Sequence, residues 1–523
     1  MLRGSRWLWM LVALAGCPGG GGGIGDSCGG NDDCNGTLQC LNSRCVPRCQ
    51  RAPECGDGYS CDNAGLCQPA TGQAGDLCES EVDCAAGLSC QIDGAETDSN
   101  NRPLEHCAAQ NATHPAEAAC DGNGDCRNGT CVLGHCVDLC RQTRDCGAGA
   151  YCANIPSELP SNPLFEGCLP AQTVLTWSIP VASPSAEILL PVPDIARSAQ
   201  LVMSVDDLTQ EVGASSILSP SGLRIYDLPC APSDPACGPT RALDEFFGNA
   251  VRHQPAFGQS VLTMPSNPRG ALGPGMYRIE VSSFLANAMP GSAIPHVTAV
   301  VQLGSSGILD LHFFFLALDD HPCAAMTGGA TLSAATAQSA AFFQDDYLGE
   351  LRRVIEVAGL SLGEPTYETI TDHPELDGLD IADAGSLFAL GKYPDGINVF
   401  FVRSLSPAGV QAFGPNPGPA GVAGTRQSGI VIGLDTLCYR DWAAIARLTA
   451  HELARYMGLY HNVELGTPQH PTWRDPIDDG DDSTNNLLYF SERFGPEAGS
   501  GPSLGAGLSA GQRQILSRSA VLR

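Results

Sequence analysis

The sequence predicts a multidomain chain: small disulfide-rich repeats, an all-β sandwich and a carboxy-terminal α/β domain. Three observations lead to this fold class. Of the 25 cysteines, 21 lie at or before Cys168. Short alternating apolar runs separated by Gly/Pro turns fill residues 172–305, and helical and buried-strand patterns begin at Gly307. A chain of 523 residues is long enough for several domains, each with its own core.

The amino terminus has the composition of an export signal. Two arginines precede an apolar run, Trp7 to Ala15, that is too short to span a bilayer as a stable helix. Residues 14–17 (LAGC) resemble the lipobox of bacterial lipoproteins, so we interpret residues 1–16 as a lipoprotein signal peptide and Cys17 as the lipidation site. Without Cys17, 24 cysteines remain, an even number that can pair completely. Ordinary cleavage after Ala15, which gives a secreted protein with a free thiol, is the alternative.

The residues after Cys17 indicate where in the cell the protein is expected to be located. Pro18 in place of an aspartate, by resemblance to sorting rules in Gram-negative bacteria, favours the outer membrane, and residues 17–27 then form a Gly-rich tether. We therefore expect a lipid-anchored protein of the outer membrane or cell surface, which contacts the membrane through its anchor alone. The 28 basic and 57 acidic residues give a net charge of −29, which argues against nucleic-acid binding.

Residues 28–168 form an internal repeat of five four-cysteine units. Each unit opens with C-x5-C, and four or five residues separate the second cysteine from the third. The units resemble the cysteine-rich repeats of secreted and surface proteins. Four cysteines allow three pairings, which stay open here. Disulfides are favoured over zinc because C-x5-C is wider than a usual zinc knuckle and an exported chain oxidises its thiols. A spacer or adhesive stalk is the expected role.

Residues 172–305 read as a β-sandwich. Runs such as "AQLVMSV", "GLRIYDL" and "MYRIEVSSF" alternate between apolar and polar residues and are punctuated by Gly/Pro turns. The phrases "LSPSGLRIYDL" and "LGPGMYRIEV" resemble the jelly-roll accessory domains of secreted proteases. Cys230 and Cys237 are close enough in sequence to close one loop.

Residues 307–523 read as a mixed α/β domain. The stretch "TAQSAAFFQDDYLGELRRVIEVAGL" has helical periodicity and ends at Gly359, and "INVFFVRSL" and "SGIVIGLDTL" are buried-strand candidates. Cys323 and Cys438 are the remaining cysteines, so we predict that they pair. The stretch "DWAAIARLTAHELARYMGL" predicts a further helix, with Asp441 as its cap and Gly458 as its stop.

The end of that helix carries the motif with the most chemical content. "HELARYMGLYH" resembles H-E-x-x-H-x-x-G-x-x-H of the metzincin zinc endopeptidases, especially their bacterial and pappalysin-type members. The resemblance implies that His451 is the first zinc ligand, Glu452 the general base, Gly458 the turn and His461 the third ligand. Downstream, "DDSTNNLLYF" is similar to the family's Met-turn region, and "GLSAGQRQIL" to the segment that closes the domain.

Two positions depart from the family pattern. Arg455 stands where the second histidine belongs, and Leu488 stands at the Met-turn methionine. A catalytic zinc needs three protein ligands, and arginine has no lone pair to offer and a charge that opposes the metal. We expect Arg455 to form an ion pair with Glu452 in place of the cation, which is also what an ordinary helix-face salt bridge would do.

Two metal alternatives stay open. In one alternative, His470 or the acidic cluster "DPIDDGDDSTNN" supplies a substitute zinc ligand. In the other, the same oxygen-rich cluster binds calcium, although it lacks the EF-hand spacing and also fits a solvated acidic loop.

The sequence therefore predicts a surface lipoprotein with a metzincin-like metallopeptidase domain that is catalytically impaired, with its activity lost or strongly reduced. As a pseudoprotease it would bind an extracellular peptide or protein along a strand edge near "SGIVIGL". Two other hypotheses are an active secreted zinc metalloendopeptidase with a non-standard third ligand, in which Glu452 is the catalytic residue, and a structural or adhesive cell-surface protein.

Overall fold

The computed structural model describes residues 26–35, 38–41, 43–55, 59–61, 65–98, 102–157, 163–171, 173–228, 251–268, 270, 272–286, 289–316, 323–467, 470–474, 483–489 and 505–523. Cys17, Cys230 and Cys237 lie outside these ranges, so the lipidation site and the predicted Cys230–Cys237 loop are not described. Within the described ranges the chain has disulfide-rich repeats at the amino terminus and a β-rich body of several sheets with few helices.

Each repeat is a short antiparallel hairpin behind a 3-10 turn. The hairpin strands are β1 (Leu38–Leu41), β2 (Arg44–Pro47), β3 (Tyr59–Cys61), β4 (Cys67–Pro69), β5 (Leu88–Thr97), β6 (Pro103–Ala109), β7 (Cys131–Val132), β8 (His135–Cys136), β9 (Ala150–Pro156) and β10 (Leu164–Pro170). They pair in order, β1 with β2 through to β9 with β10. The 3-10 turns are Asn31–Asp33, Ala52–Cys55, Glu81–Asp83, Asn123–Asp125 and Thr143–Asp145.

An acidic residue directly before the second cysteine shapes every turn. Asp83 is typical, because its Oδ2 accepts hydrogen bonds from the backbone N–H groups of Glu79 at 3.0 Å and Ser80 at 3.1 Å. The equivalent residues in the other units are Asp33, Glu54, Asp125 and Asp145. Such a side chain satisfies the backbone donors that a turn leaves unpaired, and this accounts for the regular C-x5-C spacing.

The disulfides follow one pattern in all five units: the first cysteine pairs with the third, and the second with the fourth. The pairs are Cys28–Cys40, Cys34–Cys45, Cys49–Cys61, Cys55–Cys67, Cys78–Cys90, Cys84–Cys107, Cys120–Cys131, Cys126–Cys136, Cys140–Cys152 and Cys146–Cys168. The disulfide-bonded, cysteine-rich repeats predicted from the sequence are thus confirmed, and one of the three open pairings is selected.

The middle of the chain forms two antiparallel sheets around one core. Its strands are β11 (Val174–Ile179), β12 (Ser185–Val192), β13 (Ser198–Ser204), β14 (Glu211–Leu218), β15 (Arg224–Asp227), β16 (Ala256–Phe257), β17 (Gln259–Met264), β18 (Gly275–Phe284) and β19 (His296–Gln302). One sheet has the order β11-β19-β13-β17, and the other has the order β12-β18-β14-β15, with β16 also paired to β14. Inward side chains of both, such as Leu201 and Ile279, belong to one buried cluster.

The remainder is built on a five-stranded sheet of order β23-β21-β25-β28-β27, in which only β27 is antiparallel to its neighbour. The strands are β20 (Ile308–Leu309), β21 (Leu311–Leu316), β22 (Ser361–Leu362), β23 (Thr366–Ile370), β24 (Gly378–Asp380), β25 (Ile397–Val402), β26 (Ser404–Ser406), β27 (Ala412–Phe413), β28 (Ile430–Gly433), β29 (Val463–Thr467) and β30 (His470–Arg474). The helices are α1 (Ala334–Ser339), α2 (Leu348–Val357), α3 (Ala384–Phe388), α4 (Trp442–Tyr456) and α5 (Ala510–Leu516).

Both faces of this sheet are buried. Leu351 of α2 and Ile445 of α4 pack with Phe313 and Phe401 on one face, whereas Phe388 of α3 packs with the strands on the other. The predicted strands "INVFFVRSL" and "SGIVIGLDTL" are β25 and β28, which pair in parallel. The single helix predicted up to Gly359 is instead divided into α1, a π-helical turn at Phe342–Tyr347 and α2, because the backbone of Ala340 is extended.

Candidate functional site

Helix α4 presents the motif residues at its carboxy-terminal end. It begins as predicted, with Oδ1 of Asp441 accepting from the N–H of Ala444 at 2.8 Å. Just before it, Cys438 is joined to Cys323, the pair expected from the sequence. After α4 the chain turns at Gly458, whose φ of +102° suits glycine, and this turn returns His461 to the helix.

His451 and His461 converge in the buried interior. Nδ1 of His451 lies 2.7 Å from the carbonyl oxygen of Leu487, so Nδ1 carries the proton and Nε2 the lone pair. That Nε2 lies 3.1 Å from Nε2 of His461. Burial, and then the neighbouring His461 and Arg455, hold the pKa of His451 well below its ordinary value, so the ring is neutral near pH 7.

Glu452 and Arg455 face each other beside this pair. Nη1 of Arg455 lies 3.6 Å from Oε2 of Glu452, and the two side chains are 25% and 6% exposed. Burial raises the pKa of Glu452, while the charge of Arg455 and then His461 lower it in part. The carboxylate of the motif is therefore balanced by a guanidinium on its own helix.

A short turn lies against the motif residues and contacts His451. It includes Leu487, which orients His451, and Leu488, which is fully buried at the expected methionine position. The turn is held by Asn486, whose side chain donates to Oε1 of Gln512 at 2.9 Å and accepts from the N–H of Leu488 at 2.8 Å. The segments that resemble the Met-turn and the closing helix are thus in direct contact.

The described residues do not complete a three-ligand zinc site. His451 and His461 supply ring nitrogens that converge as two zinc ligands would, but Arg455, at the position of the motif's second histidine, has no lone pair. His470 lies on β30, and its side chain is outside the described residues, as is the cluster Asp475–Asp482 to which the calcium alternative belongs. Elsewhere in the described ranges, groups of three metal-binding side chains occur only among disulfide-bonded cysteines.

The loop between β27 and β28 connects the site to the β-sandwich. Gln200 of β13, which is buried, donates to the carbonyl of Gly418 at 3.0 Å and accepts from the N–H of Ala420 at 2.7 Å. Gln259 of β17 donates to Thr425 at 3.0 Å. No sequence pattern predicted this junction, since a lone glutamine in an alternating strand is typical of an outward-facing polar residue.

Comparisons with known proteins bear on the repeats only. No family model matches the chain. A turripeptide OL55-like protein of Lophiotoma acuta is 26% identical over 107 residues, covering 20% of this chain and 99% of the turripeptide. A structure of infectious bursal disease virus Gx strain aligns at 13% identity with a TM-score of 0.09, over 54% of this chain and 70% of that one, which is too low to carry information about the fold.

None of the helices within the described ranges has both the length and the apolar content needed to cross a bilayer.

Proposed function

We propose that residues 307–523 form a metzincin-like pseudoprotease domain that binds an extended peptide or protein segment without cleaving it. The domain would be displayed by the repeats and the β-sandwich on a surface lipoprotein anchored through Cys17. The observation that carries the proposal is the ion pair between Arg455 and Glu452.

The ion pair makes the motif unsuited to peptide hydrolysis, because it engages the general base and leaves the set of zinc ligands incomplete. A general base must be free to accept a proton from water, and a catalytic zinc needs three ligands. Here a fixed cation lies 3.6 Å from the carboxylate of Glu452 and occupies the place of the missing ligand. Arginine stays protonated at any pH at which proteins fold, so this positive charge is present throughout that range.

The sheet edge beside the motif supports peptide binding. The edge strand of the sheet on this side is β27, and β28, which carries "SGIVIGL", lies one strand further in. Gly414 directly follows β27, and a Cβ built on it would lie 3.6 Å from Oε2 of Glu452. A peptide that adds to β27 through main-chain hydrogen bonds would therefore pass close to Glu452 and Arg455.

Zinc content of the purified full-length protein tests the proposal. We expect no stoichiometric zinc and no cleavage of unfolded casein by the wild type, and one zinc per chain in R455H. R352H is the matched control, because it adds a histidine on the exposed face of α2. One zinc per wild-type chain together with casein cleavage would show that the domain is an active protease.

An active zinc endopeptidase is the second candidate function. It is favoured by one observation, the 3.1 Å separation of the two histidine Nε2 atoms, which suits two ligands of one ion. It needs a third ligand among the side chains that the structure does not describe, with that of His470 as the first to replace. If the wild type binds zinc and cleaves casein, and H470A abolishes both, this candidate is correct.

The anchor is tested separately. Labelled palmitate is expected to enter the wild type and not C17A, and the wild type is expected to partition into detergent. Equal, negligible labelling of both would support a secreted protein.

A further inference from the structure

Three chain segments at one end of the β-sandwich carry large apolar side chains that are exposed to solvent. Of the ten exposed large hydrophobic residues in the described part of the chain, five lie here: Leu208 (48%), Phe257 (55%), Leu285 (41%), Met289 (57%) and Ile294 (48%). Single apolar residues on a surface are ordinary, but a concentration of them marks an interaction site. We call this end of the domain, residues 205–211, 256–258, 284–286 and 289–296, the apex.

Strand pairing places part of the apex on one outward face. Glu211, the first residue of β14, lies opposite Phe257 of β16 on one side and Phe284 of β18 on the other. Residues directly opposite each other in antiparallel strands point to the same face, and Val212, the next residue of β14, is buried. The side chains in the row of Glu211 therefore point away from the core.

The remaining apolar residues adjoin this row. A Cβ built on Gly258 would lie 2.8 Å from Cδ2 of Leu208, so Leu208 lies against the turn that follows Phe257. The N–H of Leu285 donates to the carbonyl of Met289 at 2.8 Å, which brings these two exposed residues together next to the end of β18. The apolar side chains thus neighbour one another across segments that are distant in sequence.

A buried glutamine holds the three segments in place. Gln210 is 4% exposed, and its Oε1 accepts hydrogen bonds from the N–H groups of Ser292 at 2.8 Å and Ala293 at 3.1 Å. Its Nε2 donates to Oδ2 of Asp207 at 2.8 Å, and its carbonyl accepts from the N–H of Gly258 at 2.9 Å. One residue therefore joins all three segments, and the apex is a preformed surface that needs little ordering when it binds.

The charge of the apex is negative. Asp206, Asp207 and Glu211 are its carboxylates, and its segments contain no lysine or arginine. The side chain of Asp206 is 95% exposed and lies 3.4 Å from His296, whose imidazole is the one basic group of these segments. An apolar surface bordered by carboxylates, in a chain of net charge −29, favours a partner with positive charge.

This combination discriminates among possible occupants. A second copy of the chain would bring the same carboxylates against Asp206 and Asp207. An anionic lipid surface repels carboxylates, and a neutral one would desolvate them without offering a fixed cation in return. A protein segment whose apolar side chains are flanked by lysine or arginine complements both the centre and the border of the apex.

We infer that the apex of the β-sandwich docks a protein partner through a basic amphipathic segment of that partner. The apolar centre contributes the buried contact area, and the carboxylates orient the partner and exclude acidic ones. The inference is independent of the pseudoprotease proposal, which concerns residues 307–523. The chain then has a second binding surface, on a different domain from the motif.

Binding of two designed peptides, measured by fluorescence anisotropy on the full-length protein, tests the inference. One is an amphipathic helix of leucine and lysine, and the other has glutamate in place of every lysine. We expect at least tenfold tighter binding of the lysine peptide. F257S/M289S should weaken that binding at least tenfold. L223S is the matched control, because Leu223 is 66% exposed and follows the opposite end of β14.

A second pair of variants separates the border charges from the charge of the whole chain. D206N/E211Q removes two carboxylates of the apex, and E356Q/E364Q removes two exposed carboxylates of the carboxy-terminal domain. We expect the first variant to bind the lysine peptide at least fivefold more weakly than the second. Equal affinities would mean that the net charge, and not the apex, attracts the peptide, and this would overturn the inference.

Three further outcomes would also overturn the inference. The first is unchanged affinity of F257S/M289S for the lysine peptide, and the second is absence of binding by both peptides. The third is assignment of the apex to another occupant: loss of binding to phosphatidylcholine vesicles in F257S/M289S would indicate a membrane, and loss of a dimer in sedimentation would indicate a second copy. None of these results bears on the zinc and casein measurements that decide the pseudoprotease proposal.

Discussion

Nη1 of Arg455 lies 3.6 Å from Oε2 of Glu452, one turn earlier on the same helix. In the family motif that this helix resembles, the same two positions hold a zinc ligand and a general base. Compared with that motif, this helix carries a side-chain charge near the position that the metal charge would take. It explains how a buried carboxylate is kept beside two histidines in a chain whose described residues do not complete a zinc site.

Replacing Arg455 with a neutral side chain should reveal the free-energy cost of burying the carboxylate of Glu452. We expect R455M to lower the free energy of unfolding by about 2 kcal/mol, because an uncompensated carboxylate is left inside. Adding E452Q should restore about 1 kcal/mol, which a double-mutant cycle by scanning calorimetry would measure. R352M on α2 is the control. Strictly additive losses would mean that the two side chains do not interact.

Gln200 should hold the two domains together. We expect Q200L to destabilise the junction by about 2–3 kcal/mol, since the carbonyl of Gly418 and the N–H of Ala420 lose their partners. T263V is the matched control, because it removes only the 3.1 Å hydrogen bond from Gln200 to the neighbouring strand. Equal melting temperatures for the two variants in calorimetry would contradict the role of Gln200 at the junction.

His253 should make the β-sandwich sensitive to acid. Its Nε2 accepts from the N–H of Ala214 and its Nδ1 donates to the carbonyl of Val261, both at 3.1 Å, so the buried ring is held neutral. Burial lowers its pKa from 6.5 to about 4.

The sign of the effect follows from linkage. The unfolded state takes up a proton below about pH 6.5 and the folded state only near pH 4, so this stabilisation is present above pH 6.5. It is lost as the pH falls through that interval, by roughly 3 kcal/mol in total. Urea unfolding between pH 7 and pH 4 measures it, and H253Q should show a shallower decline. The same decline in both proteins would assign the acid sensitivity to other groups.

The disulfide Cys323–Cys438 should contribute more to stability than any disulfide of the repeats. It closes a loop with a sequence separation of 115 residues, against 12 for Cys28–Cys40. In the chain-entropy model these separations correspond to about 4–5 and about 3 kcal/mol. Calorimetry of C323S/C438S and C28S/C40S checks the order, and the second variant should leave the transition of the carboxy-terminal domain unchanged. A larger effect of the short loop on that transition would contradict the prediction.

Features that depend on neighbours in sequence could be predicted. The cap at Asp441, the turn at Gly458 and strands β25 and β28 follow from capping chemistry, glycine backbone freedom and apolar runs. The repeat of cysteines likewise follows from spacing. Each of these is determined within about ten residues, where the chain itself supplies the partner.

Features that depend on distant parts of the chain required the tertiary structure. The pairing of first with third and second with fourth cysteine depends on how each hairpin closes, and the edge position of β27 depends on the order of strands in the sheet. The break at Ala340 was also not predicted, because apolar periodicity continues across it.

The same distinction between local and long-range features applies to the candidate site. The sequence by itself placed His451, Glu452, Arg455 and His461 together, since a helix and a glycine turn are local geometry. Only the tertiary structure showed that the carbonyl of Leu487 orients His451 and that Arg455 faces a cavity walled by another domain. The physical reason is that burial and hydrogen-bond partners are set by residues far apart in the chain, and no local pattern records which of them will meet.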